Sequence, residues 1–284
     1  MSSSQDKKAS GTAKKRPAVT PWDIVKISRH PERPVFQDYI GPVFEDFMEL
    51  HGDRYYSDDK AIIGGFARIG KQPIMLIGQY KGKDTEEQIY RNFGMGRPEG
   101  YRKALRLMRL AERFNIPIVT IIDTPGAFPG MHAEERGQAE SIAKNITEMS
   151  NLTKPVVCVV IGEGGSGGAL GIGVGDRILM LSNAIYSVIS PEGCASILWR
   201  DAAFAPQAAE ALNLTAEALL RHEVIDEIIH EPGEGAHTSF KEVAKRLEEA
   251  VMRHINELQQ YNLDELLENR FEKYAHMGKF ANNE

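Results

Sequence analysis

"GEGGSGGALGIGVGD", residues 162–176, follows the apolar run "KPVVCVVI" at 154–161, and its reading decides the fold. A buried strand runs there into a glycine-rich turn and a helix of small residues. Several uses of such a turn compete. Gly162, Gly164 and Gly167 spell G-x-G-x-x-G, the dinucleotide fingerprint. Gly164, Ser166 and Gly168 spell G-x-S-x-G, the nucleophile elbow of serine hydrolases. In a third reading the glycines aim bare backbone N–H groups at a developing negative charge. Plain close packing of strand on helix is the fourth. The dinucleotide reading fits worst, because that fingerprint belongs on the first βα turn of its fold and here lies past mid-chain.

A second loop favours the third reading. "IPIVTIIDTPGAFPG" (116–130) is an apolar strand that breaks into Gly/Pro, just as the strand before Gly162 does. In an open parallel sheet, ligands collect beyond the carboxyl ends of the strands. Two loops without bulky side chains, side by side there, make a crevice lined by backbone. The first N–H groups of a helix starting near Ser166 lack an intrahelical partner and sit at its positive end. Such a site suits enolate chemistry.

The rest of the chain agrees with an α/β fold. "AIIGGFARI" (61–69) and "PIMLIGQYK" (73–81) are expected to pair as a hairpin across "GKQ". "FQDYIGPVFEDFMELHGDR" (36–54) spaces Tyr39, Val43, Phe44, Phe47 and Met48 as one helical face. "PEGYRKALRLMRLAERF" (98–114) is a helix. "AEERGQAESIAKNITEMS" (133–150) is another, with Ala139, Ile142, Ala143, Ile146 and Met149 turned inward. "RILMLSNAIYSVIS" (177–190) supplies two short strands. Helices are expected over the rest, including 240–258 with Val243, Leu247, Val251, Ile255 and Leu258 on one stripe. Apolar strands alternating with amphipathic helices are buried on both faces. With no internal duplication, residues 21–284 are expected to form one domain with a helical C-terminal part.

Composition narrows the function. The chain has 284 residues, a formal charge of −6 and 26% charged residues, which argues against general nucleic-acid affinity. Cys158 and Cys194 are its cysteines, with no CxxC, so neither a disulfide framework nor a zinc site of its own is expected. Cys158, inside the apolar run, reads as a packed thiol. No apolar stretch has the length of a membrane span, and the expected compartment is the cytoplasm. Residues 1–20 carry five Lys/Arg against one Asp and read as a disordered basic tail, with an organelle-targeting remnant as the alternative.

Arg102, Arg106, Arg109 and Arg113 form a stripe that either is solvated or contacts an acidic partner or the phosphates of a ligand. Lys81, Lys83, Arg91 and Arg97 make a looser basic group for phosphate or a partner. Glu134, Glu135 and Arg136 read as opening a helix, and Trp199 as core or interface. Ser166 reads as a helix-capping residue rather than a nucleophile, and His132 is not expected to act as a base.

The segments "RNFGM", "PEGYRKALRLM", "DTPGAFPG", "AEERGQ", "VIGEGGSGGAL", "IGVGD" and "YSVISPEGCASILW" resemble, in order, the α subunit family of bacterial-type acetyl-CoA carboxylase carboxyltransferase. The likeness runs from about residue 22 to "ENRFEKYAHMG". It implies a crotonase-like ββα spiral that moves the carboxyl group of carboxybiotin, carried by biotin carboxyl carrier protein and charged by biotin carboxylase, to acetyl-CoA to form malonyl-CoA. It implies an α₂β₂ enzyme whose β subunit holds a zinc ribbon and most of the acyl-CoA site, with no cofactor bound covalently by this chain. By position, Gly167, Gly168 and Ala169 are expected to supply N–H groups to the biotin ureido oxygen. Gly126, Ala127, Phe128, Gly164 and Gly165 are expected to border the pocket. Family members usually carry a longer helical segment ahead of "PWDIVKISRHPERP". Two alternatives stay open: a hydrolase of the same fold using Ser166, and a non-catalytic scaffold.

Overall fold

A computed structural model describes residues 19–278. The tail expected over 1–20 therefore lies outside the described residues, save Val19 and Thr20. Thr20 already belongs to the fold: its hydroxyl accepts from the Asp23 amide and closes a capping box on helix α1 (Pro21–Ser28).

Among the described residues, eight strands form one sheet: β1 (Glu45–Glu49), β2 (Ile62–Ile69), β3 (Gln72–Gln79), β4 (Ile118–Thr124), β5 (Val156–Gly165), β6 (Arg177–Leu181), β7 (Ile185–Ser187) and β8 (Glu227–Ile229). Their order is β1-β2-β3-β4-β5-β6-β8, with β7 pairing to the far end of β5. The first three pair antiparallel, the expected hairpin included, and every pairing from β3 onward is parallel. β5 changes partner along its length: Val157–Val160 lie on β6, whereas Glu163–Gly165 lie on β7. That switch turns the sheet into a spiral.

Helices cover it: α2 (Phe36–Tyr39), α3 (Thr85–Tyr90), α4 (Pro98–Phe114), α5 (Met131–Glu135), α6 (Gln138–Ser150), α7 (Ser166–Leu170), α8 (Pro191–Trp199), α9 (Ala205–Ala211), α10 (Ala216–Arg221), α11 (Phe240–Leu258) and α12 (Leu263–Ala275). All seven residues of β4 are buried, as expected of a strand covered on both faces. The stripe Val243, Leu247, Val251, Ile255 and Leu258 of α11 is buried as expected. Cys158 packs inside β5, and burial pushes its thiol up to about 12. Among the described residues no helix is long and apolar enough to cross a membrane.

Three local expectations fail. The helix read over 36–54 stops after Tyr39, because Gly41 turns the chain with φ +97° and Pro42 follows. Residues 45–49 then pair with β2 as an edge strand. Tyr39, Val43 and Phe44 are still buried, but Met48 is exposed. The helix read over 133–150 breaks at Gly137, φ +82°. Glu134, Glu135 and Arg136 therefore close α5 instead of opening a helix. The inward face of α6 is Gln138, Ser141, Asn145 and Met149, while Ala139 and Ala143 face solvent. Its polar inward face has work to do: Asn145 donates to the carbonyls of Tyr101 and Gly171, and Gln138 to those of Gly96 and Phe128. Lastly, β8 interrupts the helices expected to fill the C-terminal part.

Three arginines of the α4 stripe are engaged within the fold, and Arg113 is exposed. Arg102 donates to Asp53 at 2.8 Å, Arg106 to the carbonyls of Gly52 and His51, and Arg109 to Glu112. Together Arg102 and Arg106 pin the loop between β1 and β2 onto the helix.

The C-terminal helix is anchored by one buried cation. Arg270 makes a two-pronged bond to Asp176, at 2.8 and 2.9 Å, and donates to the carbonyls of Met149, Leu152 and Lys154. Removing one member of such a pair leaves a buried charge unmatched and costs about 3–5 kcal/mol. Arg270→Met should lower the unfolding free energy by that amount, read as a lower urea midpoint with an unchanged m value. A loss below about 1 kcal/mol would mean that α12 is held by its apolar contacts alone.

Candidate functional site

The loops after β4 and β5 meet backbone to backbone. A Cβ on Gly168 would lie 2.3 Å from the Gly126 carbonyl carbon and 2.5 Å from the Ala127 nitrogen, and one on Gly165 would lie 2.1 Å from the Pro125 oxygen. Thr124 stabilises the first loop, its hydroxyl donating to the Gly126 carbonyl at 2.7 Å. Phe128 donates its amide to the Gly96 carbonyl, so the segment before α4 props the same loop. The stretch 126–128 and the turn 164–168 thus face one another at the carboxyl ends of adjacent strands. Gly164 packs instead toward the ring of Tyr186.

Helix α7 begins at Ser166, with Gly165 as the N-cap. In the i→i−4 pattern the Ala169 amide already faces the Gly165 carbonyl. The helix therefore leaves the amides of Ser166, Gly167 and Gly168 without a ladder partner, a set that shares Gly167 and Gly168 with the expected one. Gly167 opens outward, where a Cβ would meet nothing closer than Ile142 at 3.8 Å. At its other end the short helix leaves the Gly168 carbonyl over, since the Ile172 amide goes to Ala169. Gln79 donates to that carbonyl at 2.7 Å and Tyr101 at 3.3 Å.

Ser166 does not cap. Its hydroxyl makes no capping bond, and its backbone is left-handed, φ +50°. Among the described residues no histidine bonds to it, so the elbow reading has no base. His132 is exposed and lies beside Glu135.

The basic residues are engaged one by one. Lys81 bridges Asp123 at 2.9 Å and Glu163 at 2.6 Å, and Lys83 pairs with Asp38. Arg91 lies over the rings of Tyr80 and Tyr90 and bonds the Lys60 carbonyl; Arg97 lies over Phe128. Burial disfavours the Glu163 charge, yet Lys81 and Arg29 together hold its carboxyl below the usual carboxylate range. This buried ion cluster sits directly behind both loops and gave no sequence signal beyond the separate motifs. A histidine–carboxylate group elsewhere, Glu49, His51 and Asp58, lies around the end of β1, and its Asp58 is taken up by Lys103.

Beside Ser166 and Gly167 opens an apolar cleft of about 580 Å³, walled by Leu170, Tyr186, Val188, Leu212, Leu219 and Tyr274. Val188, Ile197 and Leu198, 74, 72 and 64% exposed, extend the apolar surface, with Trp199 and Phe204 partly exposed next to them. Trp199 is thus surface rather than core. Exposed apolar side chains gathered in one stretch of chain, 188–204, mark an interaction site.

Comparison with known proteins agrees with this geometry. The family model described as acetyl co-enzyme A carboxylase carboxyltransferase-like matches residues 2–278. The chain is 57% identical over 260 residues to the acetyl-coenzyme A carboxylase carboxyl transferase subunit alpha of Geobacter metallireducens, covering 92% of this chain and 82% of that one. It is 57% identical over 263 residues to the same subunit of Methylococcus capsulatus, covering 93% and 82%. Among solved structures, transcarboxylase 12S matches with a TM-score of 0.61 at 21% identity over 84% of this chain. The beta subunit of geranyl-CoA carboxylase from P. aeruginosa matches with 0.62 at 17% over 89%. This chain spans just under half of each, 46% and 48%. These likenesses give the chain the crotonase-like fold.

The two neighbouring glycines should respond oppositely to a methyl group. Gly167→Ala has room and should keep the stability of the parent within about 0.5 kcal/mol. Gly168→Ala must push two backbones apart and should cost about 1–3 kcal/mol or more, read as a drop in the thermal midpoint. Equal effects at both positions would mean that the loops are not in contact.

Proposed function

Because the chain belongs to the acetyl-CoA carboxylase carboxyltransferase family, we propose that it transfers the carboxyl group of carboxybiotin to acetyl-CoA as the α half of an α₂β₂ enzyme, giving malonyl-CoA for fatty-acid synthesis. The observation that carries this reading is the pair of touching loops, where Gly167 and Gly168 lie in the first turn of α7, their amides without an i→i−4 partner, and Gly167 lines an apolar cleft. Carboxybiotin, brought by the carrier protein, enters from that cleft, its ring system against Tyr186 and Val188. As the N–carboxyl bond breaks, negative charge moves to the ureido oxygen, and the two amides stabilise it. The freed biotin nitrogen takes the proton from the methyl carbon of acetyl-CoA. The resulting enolate carbon then bonds to the released carboxyl carbon. One preorganised donor of this kind contributes about 10²–10³ in rate. No side-chain base is required, which agrees with the lack of one beside Ser166 among the described residues.

The exposed apolar face around Val188, Ile197 and Leu198 supports a partner subunit as the missing half. That subunit supplies the second oxyanion site, for the thioester, and the zinc ribbon. Biotin carboxylase recharges the carrier, and the assembly works in the cytoplasm.

The test is reconstitution. The purified chain should be inactive alone and should catalyse biotin-dependent malonyl-CoA decarboxylation when mixed with a zinc-ribbon β subunit. In that assembly Ser166→Ala should retain most of the activity. Replacing the Gly167–Gly168 peptide bond by an ester, which deletes the Gly168 donor, should lower kcat about 10²–10³-fold. Full activity of the ester form, or stoichiometric labelling of Ser166 by a fluorophosphonate, would overturn the assignment.

A further inference from the structure

We infer that Lys81 is a positioning residue: its ammonium, held between Asp123 and Glu163, maintains the break in strand register that aims the glycine turn. The inference rests on the carboxyltransferase reading for its chemical consequence, though its structural part stands without it.

Strands β4 and β5 pair residue for residue from Ile118 opposite Val156 to Ile122 opposite Val160. The next matched pair is Thr124 opposite Gly164, so β4 has advanced two residues while β5 has advanced four. The two extra residues are what carry the turn up against Gly126–Ala127. At the break the Asp123 side chain does the work of the missing ladder, its Oδ1 accepting from the Glu163 amide at 2.9 Å. The fit is close: a Cβ on Gly162 would lie 2.4 Å from that same oxygen.

A carboxylate used this way needs a counter-charge. Asp123, Glu163 and Lys81 have side chains only 5, 10 and 18% exposed. Lys81 Nζ lies 2.9 Å from Asp123 Oδ1 and 2.6 Å from Glu163 Oε2. The other Glu163 oxygen takes Arg29, which reaches out to Glu192 at the surface. Glu163 therefore has a second cation, whereas Asp123 has Lys81. Lys81 lies two residues beyond the end of β3, so one ammonium ties the ends of three adjacent strands. Two residues earlier, Gln79 completes the brace: it accepts from the Asp123 amide and donates to the Gly168 carbonyl. Without the ammonium, two buried carboxylates face each other and the register break loses its support.

Oxyanion donors act only when correctly placed, and a shift of about 1 Å can cost about 10²-fold. Lys81→Met, measured in the reconstituted enzyme, should lower kcat about 10–100-fold. KM for the acyl-CoA should change little, since that substrate rests on the other subunit. In the isolated chain, amide hydrogen exchange across 160–170 should quicken. Lys81→Met/Asp123→Asn keeps the acceptor for the Glu163 amide and removes the unmatched charge, so it should restore both protection and most of kcat. A single variant with normal protection and normal kcat overturns the inference. So does a double variant as impaired as the single one, whether in folding or in turnover. A single variant that fails to fold while the double one folds supports it. If wild-type reconstituted enzyme transfers no carboxyl group, the functional reading fails, and the exchange comparison still decides the role of Lys81.

Discussion

The contact between the Gly168 backbone and the Gly126–Ala127 peptide is the constraint from which the rest of the site follows. Two main chains approach this closely only where a side chain is missing. The contact requires β4 and β5 to be neighbours and parallel, so that both loops leave the sheet on one side. It also requires α7 to be short and made of small residues. A short helix strands its own carbonyls, and Gln79 and Tyr101 come from beneath to satisfy that of Gly168. Each of these residues answers a need created by the one before it.

The same economy governs the buried charges. Lys81 with Asp123 and Glu163, Arg33 with Glu231, and Arg270 with Asp176 all join segments distant in sequence. A buried ion pair adds little net stability over an apolar pair of the same shape, but leaving either member alone is costly. Such pairs therefore act as registration devices that penalise wrong docking more than they reward the right one. Arg33 illustrates this: it engages both Glu231 oxygens and the Ile161 carbonyl, joining the segment after α1 to β5 and to the chain beyond β8.

How much of this is legible in the sequence depends on the range of the forces involved. Strands such as Ile118–Thr124, and the hairpin at Gly70–Lys71, are written in local composition and are read correctly. The two loops are legible too, because glycine and proline act locally. The stretch 36–54 is not, since its apolar spacing suits a helix and only pairing with β2 makes residues 45–49 a strand. The inward face of α6 misleads for a related reason: Gln138 and Asn145 look like solvent-facing residues until the carbonyls they serve are in view. Arg102, Arg106 and Lys81 read as free cations because their partners are far away along the chain.

Three motif readings of residues 162–168 compete because dinucleotide folds, hydrolase elbows and oxyanion sites all pose the same structural demand. Each needs a strand to deliver a helix start to the sheet edge with nothing in the way of its amides. The glycines record that demand and not the chemistry, so the motif alone cannot choose. What separates the cases is what stands around the turn. Here no base stands beside Ser166 among the described residues, a second bare loop lies in contact, an apolar cleft adjoins Gly167, and exposed apolar side chains follow it at 188–204. A site built from main chain needs few distinctive side chains. Its specificity then rests on how rigidly the main chain is held, which moves the informative residues from the loop to the buried groups behind it.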